Sequence, residues 1–436
     1  MSGSNERLTA ARLLIRVEAG AFASRLLAEG GGAGVRTRVL GVLRWMRALD
    51  GALGTVCSRP LPRLDAEVRA VLRIGLLESA EMGVPAPVST DAAVRTIRRL
   101  GKASAAGMVN AILRRAPAAW RRVMDDADPA LRTSHPAWLA ERWFRELGPD
   151  AAAEVMAVDQ TPAPMWVWFR EQGSIHELGE GLVRHPWCPD AWTAPERAAG
   201  LARAVGRGEA HAQDPASQLV SRLASKLAGG GPVVDLCAAP GGKAALLRRL
   251  GYDGRLALLD LRLSRVRLVS RMLDRLDALG IGDRGGAGVN PAPTIPEPVF
   301  LAVGDATHPA VAPAAWSLVV LDAPCSGTGT LRRHPELRWR LSPERISELA
   351  DLQRRMLDAA LDLVASGGAL LYSTCSIEPE ENEALVRRLP SALERIDLEP
   401  LLPAGTPARA TPAGGIRLLP RPECDGFTIH ALRWPE

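Results

Sequence analysis

A chain of 436 residues is long enough for two or three domains with ample core, and none of its apolar runs reaches the roughly 18 residues needed to cross a bilayer. Its six cysteines (Cys57, Cys188, Cys237, Cys325, Cys375 and Cys424) are scattered without a CxxC pair, which argues against a disulfide framework or a metal site and leaves buried fillers or reactive thiols. The net charge of +5 is uneven, with 21 Arg/Lys against 12 Asp/Glu in residues 1–140 and 33 against 37 in the remainder. A basic first third fits a polyanion, although solvated helix faces give the same count.

The opening MSGSNERLTAARLL lacks a signal-peptide hydrophobic segment and cleavage site, so a cytoplasmic protein without membrane contact is expected. Apolar residues then recur at helical spacing over 6–27, 35–53, 66–81, 94–100 and 107–115. The pattern predicts an all-helical domain over 1–130, serving either RNA binding or a structural, oligomerising bundle.

Residues 131–210 read as a connecting α/β subdomain. SHPAWL, beginning at Ser134, starts a short helical stretch through Arg145, and MWVWF, from Met165 to Phe169, reads as a short aromatic strand. Aromatics among basic residues stack bases in some proteins; the core of a small sheet is the reading taken. Asp214 and Ser217 in AQDPASQL are candidate caps of the next helix.

From 211 to 436 strands and helices alternate, which predicts a mostly parallel sheet covered on both faces. PVVDL is the first strand, followed by CAAPGGK and a helix. A strand at 256–259 ends at Asp260, a helix spans 262–279, and 280–298 reads as a mobile Gly/Pro-rich loop. A strand at 299–303 ends near Asp305. LVVL then runs into Asp322, ALLY leads into Ser373-Thr374-Cys375-Ser376, a helix covers 343–365, and GFTIHALR is the last strand.

Two of these strand ends carry thiols. Asp322-Ala323-Pro324-Cys325-Ser326-Gly327 must turn sharply after its strand, and Cys375 follows another. Ligands bind at the carboxyl ends of such sheets. The turn Cys237-Ala238-Ala239-Pro240-Gly241-Gly242-Lys243 opens a helix, where glycines admit a ligand close to the backbone and free N–H groups face it. It matches neither GxGxxG nor the phosphate-binding GxxxxGK[ST]. Asp260 is placed for ribose hydroxyls and Asp305 for an adenine amino group, with each acid alternatively a simple cap. One nucleoside without a pyrophosphate points to S-adenosylmethionine. Arg265, on the helix after Asp260, is placed with the same set, and Cys237 is read as packing.

The segments VLRIGLLE, VPAPVSTDAAV and GMVNAILRR resemble the NusB-like helical RNA-binding domain. DLCAAPGGK, LDAPCSGTGTLRRHPELRWR, LLYSTCSIEPEENE and LLPRPECDGF, in that order, resemble the RNA 5-methylcytosine methyltransferases, and with the helical domain in front, the small-subunit ribosomal RNA type. The resemblance covers nearly the whole chain. It implies a Rossmann-like S-adenosylmethionine-dependent catalytic domain acting on cytosine C5 of 16S ribosomal RNA or a small-subunit precursor. It implies Cys375 as the nucleophile at C6, Cys325 in proton removal and product release, and Asp322 in base positioning and proton donation. Asp322 also borders the cofactor.

A thiol of ordinary pKa ~8.5 needs an electropositive setting; Lys243 and the loop N–H groups are the candidates. Arg332, Arg333, His334 and Arg338 read as an RNA- and phosphate-facing segment, or as the lead of a surface helix. Two other functions fit less of the sequence: a transfer RNA cytosine-C5 methyltransferase, and a non-catalytic RNA-binding assembly factor with an inert methyltransferase fold.

Overall fold

A computed structural model describes residues 3–126, 128–170, 181–195, 198–277 and 299–436. The loop expected at 280–298 lies outside the described residues. Contacts divide the chain into two compact units, Met1–Pro162 with Leu331–Arg340, and Ala163–Thr330 with Leu341–Glu436.

The first unit is helical: α1 (Gly3–Glu18), α2 (Ala23–Gly30), α3 (Ala33–Val56), α4 (Ala66–Ala80), α5 (Ala86–Arg99) and α6 (Ala106–Met124). Its core is the predicted periodic face, with Val35, Val39, Val42, Leu49 and Leu53 of α3 buried against α4 and α6 residues such as Leu72, Leu76 and Val109. Glu78 is wholly buried in α4 and accepts from Arg7 at 2.8 Å and Arg38 at 2.6 Å, the pairing that a carboxylate in an apolar interior requires. The helical unit continues through α7 (Pro129–Arg132), α8 (Ala137–Leu147) and α9 (Pro149–Val158), residues that the sequence reading mostly assigned to the connecting region.

The decapeptide 331–340 also belongs to this unit. Its arginines correct the expectation of an RNA-facing segment: Arg332 and Arg338 are 1% and 0% exposed. Arg338 donates to the carbonyls of Arg44, Ser134 and Asp159 at 3.2–3.3 Å, while Arg44 donates to the Arg332 carbonyl at 3.0 Å. Trp339 Nε1 donates to the Leu43 carbonyl at 2.7 Å. A guanidinium offers five donors in a rigid fork, and three of those of Arg338 are taken up by buried carbonyls. His334 is exposed and Arg333 half-buried.

The second unit begins with a small sheet of β1 (Val167–Phe169), β2 (Val183–Arg184), β3 (Trp192–Thr193) and β4 (Ala210–Ala212), ordered β2-β3-β1-β4. Val167, Trp168 and Phe169 are all buried, so the aromatic strand is core. Helices α10 (Ala198–Arg207) and α11 (Pro215–Leu227) follow, the latter capped by Asp214, which accepts from Ala216 N at 2.9 Å.

The main sheet contains β5 (Val233–Asp235), β6 (Leu256–Asp260), β7 (Val299–Val303), β8 (Trp316–Asp322), β9 (Val364–Thr374), β10 (Glu394–Arg395), β11 (Arg409–Ala410), β12 (Ile416–Leu418) and β13 (Phe427–Arg433). Its order is β11-β12-β13-β9-β8-β5-β6-β7, with β10 on β13. The strands from β9 through β7 run parallel, and β13 is antiparallel to β9. The uninterrupted apolar runs of β5, β6 and β8 are buried because helices cover both faces. Strand order reverses between β5 and β8, and their carboxyl ends therefore flank a crevice. The helices of this part are α12 (Gly242–Arg249), α13 (Leu263–Asp277), α14 (Pro343–Leu361) and the short α15 (Glu383–Val386).

Candidate active site

Parallel pairing of β8 with β9 puts Asp322 opposite Ser373, which delivers the two thiol-bearing loops to one edge. Cys325 Sγ and Cys375 Sγ lie 3.2 Å apart, both as free thiols. Asp322 at the tip of β8 accepts from Ser373 Oγ at 2.8 Å and forms an ion pair with Lys243 of the PGGK turn. The sequence-predicted cysteines, acid and lysine are thus brought together at one edge of one sheet.

Charge around the thiols is organised by that lysine. Burial works against the Lys243 ammonium, but Asp322, Asp235 and Cys375 outweigh it and hold its pKa above the ordinary value. Asp235 ends β5, fully buried, and accepts from Cys237 N at 3.0 Å. Burial raises it to about 7, against the pull of Lys243 and the Cys237 N–H. The hydrogen bond with Cys375 and then burial push the Cys325 thiol well above its usual range. Within this pair either sulfur can donate to the other.

Gly241 starts α12 with φ of +105°, and a Cβ there would crowd Val269 and Met272 at 3.3 Å. Only glycine combines that left-handed turn with so close a helix packing. Asp260 is buried at the end of β6, accepting from Ala239 N at 3.3 Å and from Arg265 Nε at 3.0 Å. Arg265 also donates to the Ala239 carbonyl at 3.2 Å, so this pair braces the 238–240 turn. Ala238 and Gly242 are buried in it, Pro240 is exposed, and the Ala239–Pro240 peptide is cis. Asp305 is exposed just past β7 and accepts from Thr307 N and Oγ1 at 2.9 and 2.8 Å, which lowers its pKa. Cys237, pushed up by burial and by Asp235, is no thiolate. Cys188 and Cys424 are buried fillers.

The loops are joined by groups to which the sequence pattern assigned no task. Glu381 is fully buried and accepts from Ser326 N at 2.8 Å, Ser326 Oγ at 2.5 Å and Gln353 Nε2 at 2.9 Å. Gln353 also donates to the Pro324 carbonyl at 2.9 Å. Asn382 accepts from Thr374 Oγ1 at 2.7 Å and donates to the carbonyls of Ser376 and Glu378. Gly329 N–H donates to the Cys375 carbonyl at 2.9 Å, and Gly426 N–H donates to the Gly329 carbonyl at 2.7 Å. EPEEN after the cysteine was the available signal; its side chains turn inward, which periodicity does not report.

A parallel sheet with a glycine turn after its first strand, acids at successive strand ends and an antiparallel last strand is a Rossmann-like methyltransferase domain, here with a NusB-like helical domain in the same chain. Residues 295–433 match the model of the 16S rRNA methyltransferase RsmB/F family, and residues 4–117 that of the NusB family. The chain is 33% identical to ribosomal RNA small subunit methyltransferase B of Xanthomonas campestris pv. campestris, over 90% of this chain and 86% of that one. It is 34% identical to the protein of the same name from Thermus thermophilus, over 91% and 87%. The fold is shared with the crystal structure of PH0851 (TM-score 0.74, 23% identity, 98% of each chain) and with NSun6 from Pyrococcus horikoshii with SFG (TM-score 0.54, 17% identity, 69% of this chain and 98% of that one).

The chain belongs to the ribosomal RNA small subunit methyltransferase B family and is an RNA methyltransferase. Among the described residues no helix is long and apolar enough to cross a membrane.

Proposed function

We propose that this protein methylates C5 of a cytosine in 16S ribosomal RNA, or its small-subunit precursor, using S-adenosylmethionine and a covalent bond between Cys375 and C6 of the base. The observation that carries the reading is the pair of free thiols 3.2 Å apart beside Asp322 and Lys243. The donor set at the crevice fits the cofactor. Carboxylates at Asp235, Asp260 and Asp322 suit ribose hydroxyls and a cationic sulfonium, and they repel a polyphosphate. Asp260, Arg265 and the 237–243 turn would hold the nucleoside, with Asp305 toward the base. When bound, S-adenosylmethionine supplies an electrophilic methyl group.

Carbon 5 of cytosine is too poor a nucleophile on its own. Attack of the Cys375 thiolate forms the S–C6 bond and moves the ring electrons toward N3 and C5, which makes C5 enamine-like. Asp322, at the tip of β8, hydrogen-bonds the base and delivers a proton drawn from the Lys243 ammonium it pairs with as charge develops there, and takes it back when the ring double bond re-forms. Cys325 then removes the C5 proton; the released pair re-forms C5=C6, and the S–C6 bond breaks to regenerate the Cys375 thiolate.

The protonation pattern supports this order. The largest influence keeping Cys325 protonated is its hydrogen bond with Cys375. Once Cys375 is bonded to carbon that influence is removed, so Cys325 passes its own proton to solvent and acts as a base only after the adduct exists. The target base must leave its stack to reach both sulfurs, so an unpaired or flipped cytosine is expected.

Tritium release from C5-labelled cytosine in 16S RNA is the test. Activity surviving Cys375→Ala would refute the assignment, and Cys325→Ala should accumulate a denaturation-resistant protein–RNA adduct. Transfer RNA offered in parallel should be a poor substrate. An inert assembly factor should fail to bind S-adenosylmethionine in a calorimetric titration.

A further inference from the structure

We infer that Glu381 is a positioning residue for the release half of the reaction, fixing the Cys325 loop through Ser326 so that Cys325 Sγ meets the proton on C5. The inference rests on the cysteine roles proposed above. It starts from an imbalance between the two loops. Cys375 is the first residue after an eleven-residue strand, and Thr374 is tied to Asn382, so ladder and side chain both hold it. Cys325 follows Pro324 in a loop outside regular structure, where no ladder holds it.

One carboxylate takes most of the bonds that hold that loop, beside a Ser326 Oγ–Ser376 Oγ contact at 3.1 Å and the Ala323 N–H on the Ser373 carbonyl. Glu381 takes both the backbone N–H and the hydroxyl of Ser326, the residue next to Cys325. Gln353 bridges Glu381 to the Pro324 carbonyl on the other side of the cysteine. Tyr372 OH closes the set, donating to the Glu381 carbonyl at 2.5 Å. All four side chains are 0–3% exposed, so water replaces none of these bonds when one is cut. A buried carboxylate of this kind is a poor choice for stability alone, and it meets the Cys325–Ser326 peptide directly and the Pro324–Cys325 peptide through Gln353.

The consequence is a split between half-reactions. With Glu381→Ala, Cys375 keeps its own supports and the adduct forms at a rate within about threefold of wild type, while displacement of Cys325 by about 1 Å slows release on the order of 10²-fold. Glu381→Gln retains an acceptor for Ser326 N and an N–H that Ser326 Oγ accepts, so it restores most of the release rate.

The experiment uses the full chain, S-adenosylmethionine and 16S RNA, and measures adduct by denaturing gel and turnover by tritium release for Glu381→Ala, Glu381→Gln, Ser326→Ala and Cys325→Ala. Adduct accumulation in Glu381→Ala, partial accumulation in Ser326→Ala and recovery in Glu381→Gln are expected. Adduct in Cys325→Ala but none in a folded Glu381→Ala overturns the inference, as does equal slowing of both steps. If Glu381→Ala does not fold, Ser326→Ala decides alone, and normal release in it has the same consequence. No adduct in Cys325→Ala itself sinks the cysteine roles, and this inference with them.

Discussion

Replacing Gly329 by alanine perturbs the site without touching a reacting group. A Cβ at Gly329 would lie 2.2 Å from the Gly426 carbonyl oxygen and 2.8 Å from its Cα, whereas ordinary contact begins at 3.4 Å. Both neighbours are backbone, so no side chain swings aside, and the loop must recede by about 1 Å, a misplacement that costs on the order of 10²-fold in rate. The shift is passed directly to Cys375, the proposed nucleophile, because Gly329 N–H holds the Cys375 carbonyl, and Gly329 O holds Gly426 N–H. Overpacking adds a stability loss of about 1–3 kcal/mol. Tritium release and thermal unfolding read the two effects. Gly206→Ala, in α10 with open space at the Cβ, is the control and should gain about 0.5–1 kcal/mol. Gly329→Ala turning over at the wild-type rate would refute the claim that this glycine contact sets the thiol geometry.

Lys243→Met removes the cation opposing burial at Asp235. Asp235 should then hold its proton above pH 7, moving the acidic limb of the pH–rate profile upward, with a rate loss on the order of 10²-fold; an unmoved limb would count against it. Arg338→Ala should lower the unfolding free energy by about 2–5 kcal/mol, since it strands three buried carbonyls. It should leave the salt dependence of RNA binding unchanged, and a shallower salt slope would restore the phosphate-contact reading. His135 is fully buried with Nε2 3.2 Å from Asp159, and burial followed by Arg338 lowers it from 6.5 to about 4 despite Asp159. Below about pH 6.5 the unfolded chain binds a proton that the folded chain refuses, so stability is present above that pH and is lost as pH falls toward 4. The loss is about 3 kcal/mol. His135→Gln should flatten the urea-midpoint decline over that window, and parallel declines would refute it.

Much of this molecule is local and therefore readable in sequence. Helical spacing marked the helical unit, although it ran α1 and α2 together as 6–27 and caught only the end of α5; the apolar runs ending at Asp235, Asp260 and Asp322 marked β5, β6 and β8, and Pro324 with Gly327 marked the turn that exposes Cys325. Two thiols at strand ends already implied a shared edge, because parallel strands place equivalent ends together. Burial of a charged side chain is not local. Arg332 and Arg338 sit among basic residues as a phosphate-binding segment would, and only packing within the helical unit buries both and assigns the donors of Arg338 to carbonyls.

Strands as short as β10, β11 and β12 carry too few residues for alternation to show. The decisive tertiary contributions lie beside the cysteines. Glu381 and Gln353 are 28 residues apart in the chain and Ser326 is a further 27 back, so nothing in their spacing predicts that they share a proton network. Sequence determined which side chains are candidates for the chemistry, since reactivity belongs to residue type and to its place at a strand end. Tertiary structure decided which charges are spent inside the protein and what holds the Cys325 sulfur in register, since both depend on groups that meet only when the chain closes.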